Sequence, residues 1–247
     1  MFLNDLKVSL QFLTILPSGK KEIRKEELER SIPYFPLAGL ILGLLSYIIY
    51  MILSLLLPRD LCDILVLLFL VLLTGGLHMD GLSDTLDGMG FGKDRESSLK
   101  IMRDSRIGTF GAIGLVFAIL IKYLALNNIQ SFYVDNILLL MPLYGRWSVL
   151  VLGYQSQYAR EGDGIGRVFV EKIKKEVYLK GILTAFIASL IIFQLRGLFI
   201  FTVLFFTVSF LKRYFEKRMG GITGDIFGAV IEFSEIAALL LTLIIQF

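Results

Sequence analysis

The chain has almost none of the residues that build covalent staples or obvious acid–base centres. It holds one cysteine, Cys62, and one histidine, His78, among 247 residues. A lone cysteine excludes an internal disulfide, and Cys62 reads as a small apolar residue near a helix end. A large surplus of one charge is also missing. The formal net charge is +3, too small to point to a nucleic-acid partner. Nothing repeats and no low-complexity linker interrupts the sequence, so one domain over 1–247 is expected. The start lacks the pattern of a cleaved leader, because Asp5 and Lys7 interrupt it and no small-residue cleavage site follows. The alternation of a β-barrel is absent too.

What is abundant is apolar surface. Hydrophobic residues make up 55% of the chain and the mean hydropathy is +0.73, beyond what a soluble domain carries. Crossing a bilayer takes about 20 apolar residues. Candidate spans are 36–57, 61–73, 107–126, 136–152, 179–195, 198–211 and 226–247. Two of them, 61–73 and 198–211, are short; they would tilt little, borrow flanking residues or be partly re-entrant. Lipid offers backbone groups no partner, so the expected fold is all-α: a polytopic integral membrane helical bundle with about seven membrane segments. Before Pro17, the spacing of Phe2, Leu3, Leu6, Leu10, Phe12 and Leu13 predicts an amphipathic helix lying on or near the membrane. The sequence leaves a homo-oligomer open.

These spans divide the charges unequally. Segments 18–35, 74–106, 153–178 and 212–225 fall on one side and carry nearly all the Lys and Arg, among them Lys20, Lys21, Arg103, Arg160 and Arg218. The other side receives Arg59 and Arg196 and little else, and 127–135 contains neither Lys nor Arg. Omitting one interior span would scatter the basic segments over both sides. The positive-inside rule makes the basic side cytoplasmic. Every glycine- and aspartate-rich motif lands on that side, so a charged substrate is expected to arrive from the cytoplasm.

The strongest motif is Thr74-Gly75-Gly76-Leu77-His78-Met79-Asp80-Gly81-Leu82-Ser83-Asp84-Thr85-Leu86-Asp87-Gly88. In a helix, Asp80, Asp84 and Asp87 share one face. Three like charges there repel unless a cation joins them, and hard oxygen donors suit Mg²⁺, which favours a phosphate as co-ligand. Asp80, Asp84 and Asp87 are thus the candidate metal ligands. His78 is either structural or a proton acceptor near neutral pH. Downstream, Lys93, Arg95, Arg103 and Arg106 supply positive charge, with Arg103 and Arg106 three apart and hence expected on one helical face. Guanidinium forks suit phosphate oxygens; the plain alternative is that these residues anchor the basic side. Asp104 stands between two arginines, either orienting them or acting in catalysis with His78 and Asp84.

A third motif, Met219-Gly220-Gly221-Ile222-Thr223-Gly224-Asp225, precedes the last span. Thr223 suits a helix cap and Asp225 the first turn. Read together with the upstream Thr-Gly-Gly, Gly221, Thr223 and Asp225 form a second wall of the same site. The segment 154–167, with Gly162-Asp163-Gly164-Ile165-Gly166-Arg167, is a weak nucleotide signal and is expected to be a flexible loop that closes over substrate. Charges inside spans are costly and seek partners or cavities. Arg146 is expected to pair with Glu232 or Asp225, Lys122 to snorkel, and Trp147 to pack in the core or at an interface.

The first motif, continued by Met102-Arg103-Asp104-Ser105-Arg106-Ile107-Gly108-Thr109-Phe110-Gly111, resembles the cobalamin synthase family, the adenosylcobinamide-GDP ribazoletransferases. Further similarity covers Phe12-Leu13-Thr14-Ile15-Leu16-Pro17, Tyr34-Phe35-Pro36-Leu37-Ala38-Gly39, Gly145-Arg146 and Gly220-Gly221-Ile222-Thr223-Gly224-Asp225. The likeness runs nearly the whole chain. The loop around Gly162 departs from it, carrying Asp163 and Ile165 where a more glycine- and leucine-like stretch is expected, and no role is assigned there. The resemblance implies a Mg²⁺-dependent enzyme of the prokaryotic cytoplasmic (inner) membrane. It would join adenosylcobinamide-GDP to α-ribazole, or to α-ribazole 5′-phosphate, releasing GMP. Metal would sit on Asp80, Asp84 and Asp87; Arg103 and Arg106 would neutralise the leaving nucleotide.

Three other classes compete, the plainest being a structural membrane subunit, which would leave the aspartates unexplained. A CDP-alcohol phosphotransferase also displaces a nucleotide with an alcohol inside a membrane, but its aspartate pattern begins Asp-Gly-x-x-Ala-Arg. Here Asp80-Gly81 leads to Ser83-Asp84 and the arginine is missing. A solute transporter fits intramembrane Arg146 and Glu232, yet the acidic cluster lies at a membrane edge rather than the midplane.

Overall fold

The structure, a computed structural model, describes residues 2–16, 23–162 and 164–246. Pro17, Lys20, Lys21, Asp163 and Phe247 lie outside the described residues. Among those described, the chain is helical with no strand, apart from an isolated bridge between Tyr158 and Ile222. The helices are α1 Phe2–Leu13, α2 Lys25–Ser31, α3 Phe35–Ser54, α4 Arg59–Leu73, α5 Leu77–Phe91, α6 Arg95–Ile101, α7 Thr109–Asn128, α8 Ser131–Gly153, α9 Ile165–Lys172, α10 Lys175–Met219 and α11 Gly224–Ile245.

The bundle is built around α8. Its middle is buried from Leu140 to Gly153, and Trp147, Arg146 and Tyr144 are among the largest fully enclosed side chains. Trp147 packs on Phe201 at 5.0 Å, so it is core. Cys62 is likewise fully enclosed, near the start of α4. Outer faces are apolar and bare instead: Phe117 on α7 and Phe206 and Phe210 on α10 are exposed, as expected of surfaces that lipid would cover.

Among the described residues, length and composition pick out five helices able to cross a membrane, or six if α4 and α5 count as one bent span. The longest, α10, has 45 residues, about twice what one crossing needs. It folds back on itself at Gln194, which has φ 52°. Phe186 meets Phe201 at 5.9 Å, and Tyr144 Oη reaches both Ser189 and Gly197. Contacts symmetric about Gln194 make α10 a helical hairpin, as expected from the split between 179–195 and 198–211. Its counting as one pass or two accounts for most of the difference from seven.

α1 is amphipathic as expected. It buries Val8 and Leu13 and exposes Phe2 and Leu3. Ser9 Oγ donates to the Ser31 carbonyl at 2.8 Å, tying α1 to the end of α2.

Two glycines turn the chain at the functional end. Gly75 and Gly76 take φ 63° and 70°, a region open to glycine at little cost. The chain bends by 88° between α4 and α5, so α5 lies across the end of the bundle where α7 and α11 begin. α5 packs closely on α11 at Gly81, where a Cβ would stand 2.8 Å from the Asp225 carbonyl oxygen. The basic residues of the connecting segments gather at this end: Arg95 bonds Met219 and Ala159, Arg218 bonds Gly92, and Lys172 pairs with Glu29. Arg59 and Arg196 are at the opposite end, against Leu126 and Ile245.

Candidate active site

α5 carries the three aspartates, and the fold uses them differently. Asp87 is buried, and its two oxygens accept from the amides of Gly108 at 2.7 Å and Gly111 at 2.8 Å. It caps α7, where exposed amides and the helix dipole favour an anion. Asp80 and Asp84 make no hydrogen bond or ion pair among the described residues. Asp84 is half-buried, and burial, reinforced by the charges of Asp80 and Asp225, pushes its carboxyl up to about 7 against the partial relief given by Arg160. The arrangement is an acidic pair short of positive charge.

Opposite it stands the start of α11. Thr223 is buried, and its hydroxyl accepts from the Ile226 amide at 3.2 Å, so it caps α11 as the sequence suggested. Asp225 in the first turn accepts from Arg160 at 2.5 Å. Gly221 is buried with φ 152°, folded against Gln157 and Ala159. Arg160 comes from 154–167, expected to be a flexible loop; its last residues, from Ile165, begin α9. That segment is pinned instead: Ala159 N donates to Ile222 O at 3.1 Å and Ile222 N to Gln157 O at 2.8 Å. Arg160 also donates to Met102 O at 3.3 Å.

The expected helical phase between Arg103 and Arg106 is not formed. α6 ends at Ile101, and the chain must leave the helical path so that Gly108 can reach Asp87. Arg103 lines a cavity of about 450 Å³ with His78, Asp80, Arg160 and Asp225. It also lines an adjoining cavity of about 570 Å³ with Arg95, Lys100 and Arg160. Arg106 turns away and forks onto Asp104 at 2.7 Å. This contact and the Arg106 amide hold the Asp104 carboxyl down at about 2. Lys93 is exposed beyond the end of α5, and Arg95 serves to clamp α6 to the turn between α10 and α11. The structure thus gathers His78, Asp80, Asp84, Arg103, Thr223 and Asp225. Asp87, Asp104, Lys93 and Arg106 stand at the periphery. No group of three or more His, Cys, Asp or Glu among the described residues is close enough to hold a metal alone.

Beneath the site lies a charge network that the sequence reading placed wrongly. Lys122 does not snorkel; it is buried, 2.6 Å from Glu232 and 2.5 Å from Glu235. Arg146 pairs with Glu235 rather than Glu232 or Asp225. The reason is geometric: Glu232 and Glu235 lie one turn apart on α11, between α7 and α8. Arg146 also donates toward His78 Nδ1 at 3.3 Å. A guanidinium can only donate, so Nδ1 is the acceptor and Nε2 keeps the ring proton. His78 is therefore a hydrogen-bond donor at the cavity wall, a poor match for a proton acceptor. Arg160 was missed as a site residue, because its link to Asp225 is tertiary and has no periodic signature.

Comparison with known proteins identifies the family. Residues 5–243 match the family described as cobalamin-5-phosphate synthase. A protein of Caldanaerobacter subterraneus subsp. tengcongensis named adenosylcobinamide-GDP ribazoletransferase is 35% identical over 96% of each chain. One of the same name from Geotalea daltonii is 38% identical over 94% of each. Another, from Clostridium acetobutylicum, is 34% identical over 95% of this chain and 93% of its own. No solved structure matches. With a family match over residues 5–243 and relatives about 35% identical over nearly all of both chains, the chain belongs to the cobalamin-5-phosphate synthase family.

Proposed function

We propose that this chain joins adenosylcobinamide-GDP to α-ribazole or α-ribazole 5′-phosphate, giving adenosylcobalamin or its 5′-phosphate and GMP. The observation that carries the reading is Asp80, which has no hydrogen bond or ion pair among the described residues, lining one cavity with Arg103, Arg160 and Asp225, with Asp84 within electrostatic reach of Asp80, Asp225 and Arg160. It is supported by relatives of that name at about 35% identity. A ribose hydroxyl of α-ribazole attacks the phosphorus attached to cobinamide, and the bond to GMP breaks. Arg103 and Arg160 bind the diphosphate and offset the charge that grows on the leaving GMP. Asp84, its carboxyl up at about 7, takes the hydroxyl proton. His78, held by Arg146, donates to a substrate oxygen.

The donor set fits Mg²⁺. The oxygens are hard, those of Asp80 and Asp84 have no partner among the described residues, and too few gather for an all-protein cage. That suits an ion held by one or two carboxylates together with substrate phosphate. Asp80 and Asp225, with Asp84 beside them, would hold it, and when bound it supplies Lewis-acid stabilisation to the diphosphate. Because the basic segments cluster at this end, the site faces the cytoplasm of a prokaryotic inner membrane.

The test is mass spectrometry of purified protein in nanodiscs with adenosylcobinamide-GDP, α-ribazole and Mg²⁺. Stoichiometric adenosylcobalamin and GMP are expected. GMP release without cobalamin, or no product, overturns the reading.

A further inference from the structure

The cavity beside Asp225 has two unlike walls. One carries Asp80, Arg103, Arg160 and Asp225; the other carries Phe12, Phe35, Phe169 and Phe227. The four phenylalanines come from four helices, α1, α3, α9 and α11. Phe12 and Phe35 stack with centroids 5.9 Å apart and an interplanar angle of 12°. Phe169 stands edge-on to both at 5.5 Å, and edge-on to Phe227 at 5.4 Å. Phe35, Phe169 and Phe227 are nearly enclosed and Phe12 is half-buried, so the cluster is packed core that also borders a cavity of about 450 Å³, within the range of a small-molecule site.

The adjoining cavity of about 570 Å³ is different. Arg95, Lys100, Arg103 and Arg160 outnumber Glu96 and Glu161 in its lining, and none of its lining residues is aromatic. The two cavities share Arg103, Arg160 and Glu161. The two substrates of the proposed reaction divide in the same way. A guanosine diphosphate has a polar-edged purine and charged phosphates. The base of α-ribazole is a fused, planar, methylated ring with no exocyclic donor. A phenylalanine wall offers stacking and edge contacts but no hydrogen bond. A purine's polar edge buried there would lose its partners, whereas the benzimidazole has no such donors to lose.

We infer that the phenylalanine-walled half of the cavity is the lower-base subsite. It takes the planar apolar base of α-ribazole and selects it over polar purines, while the basic cavity takes the guanosine diphosphate. This rests on the reading of the chain as a ribazoletransferase. With the base among the phenylalanines, the ribose is left beside Asp80 and Arg103, where its hydroxyl meets the diphosphate.

Separate subsites predict that GDP and α-ribazole bind together. In a titration of wild-type protein in nanodiscs, the Kd for α-ribazole should shift less than about threefold under saturating GDP. An apparent Kd rising in proportion to GDP overturns the assignment. In steady-state assays, Phe12→Ala and Phe169→Ala should each raise the KM for α-ribazole about tenfold. The KM for adenosylcobinamide-GDP should stay within about twofold, and the preference for α-ribazole over the α-riboside of adenine should narrow. Equal rises in both KM values, or no rise in variants that melt like wild type, overturn it. A variant that fails to fold leaves the wild-type titration to decide. If wild-type protein forms no cobalamin at all, the ribazoletransferase reading fails and takes the subsite with it. Cobalamin formation together with mutual exclusion by GDP removes the subsite alone.

Discussion

Two groups of charge sit close together in this molecule, and they are built on opposite plans. The inner group, Lys122, Arg146, Glu232 and Glu235, is almost wholly enclosed. It holds two cations and two anions, and each lies within bonding distance of an opposite charge. The outer group, Asp80, Asp84 and Asp225, has one directly bonded cation, Arg160 on Asp225, and is partly open to cavities. Burial alone therefore does not mark the site here. A balanced buried network needs nothing more and reads as architecture; an unbalanced, half-open one awaits a ligand of the missing charge. His78 joins the two, accepting from Arg146 on one side and lining the cavity on the other.

The sharpest way to break this contrast is to neutralise each group in turn. Asp84→Asn should lower cobalamin formation by about 10²- to 10⁴-fold, measured as product per protein, while membrane insertion and melting temperature are retained. An active Asp84→Asn enzyme would place the outer group among structural features. Glu235→Ala should do the reverse. It leaves Arg146 and Lys122 short of a buried anion, which costs about 3–5 kcal/mol when one partner of a buried pair is removed. Melting temperature and yield in detergent should fall together, and unchanged melting would show that the network contributes little.

A smaller effect follows from the raised carboxyl of Asp84. Its folded-state value, about 7, lies above the ordinary 3.8. Its contribution to stability is thus complete at low pH and is lost as pH rises through 7. In chelator, the melting temperature should decline by a few degrees between pH 5 and pH 8. Added Mg²⁺ should restore it at pH 8, and Asp84→Asn should flatten the profile. The smallest change is expected for Asp104→Ala. That residue is tied to Arg106 at the surface, and exposed pairs contribute little, so turnover should stay within about twofold. A large loss would bring Asp104 back into the chemistry.

Much of this plan was legible in the sequence because it is periodic or local. Apolar runs gave the helices, and the interruption between 195 and 198 gave the α10 hairpin. Thr223 and Asp225 had the order of a cap and first turn. The spacing of Asp80, Asp84 and Asp87 gave one helical face. It did not distinguish Asp87, whose oxygens are taken by amides 21 and 24 residues away. The same distant contact pulls 102–108 out of helix and separates Arg103 from Arg106. Lys122, Arg146 and Arg160 were misplaced or passed over for one reason. Their partners lie 110, 89 and 65 residues along the chain, and no local pattern encodes which charges meet across helices. The four phenylalanines are scattered in the same way and read singly as core.

The most direct test of the central claim is a structure of the protein in nanodiscs with GDP and Mg²⁺. The account predicts density for the diphosphate between Arg103 and Arg160, with a cation against Asp80 and Asp225. Nucleotide bound elsewhere, with those two carboxylates turned toward lipid or bulk solvent, would contradict it.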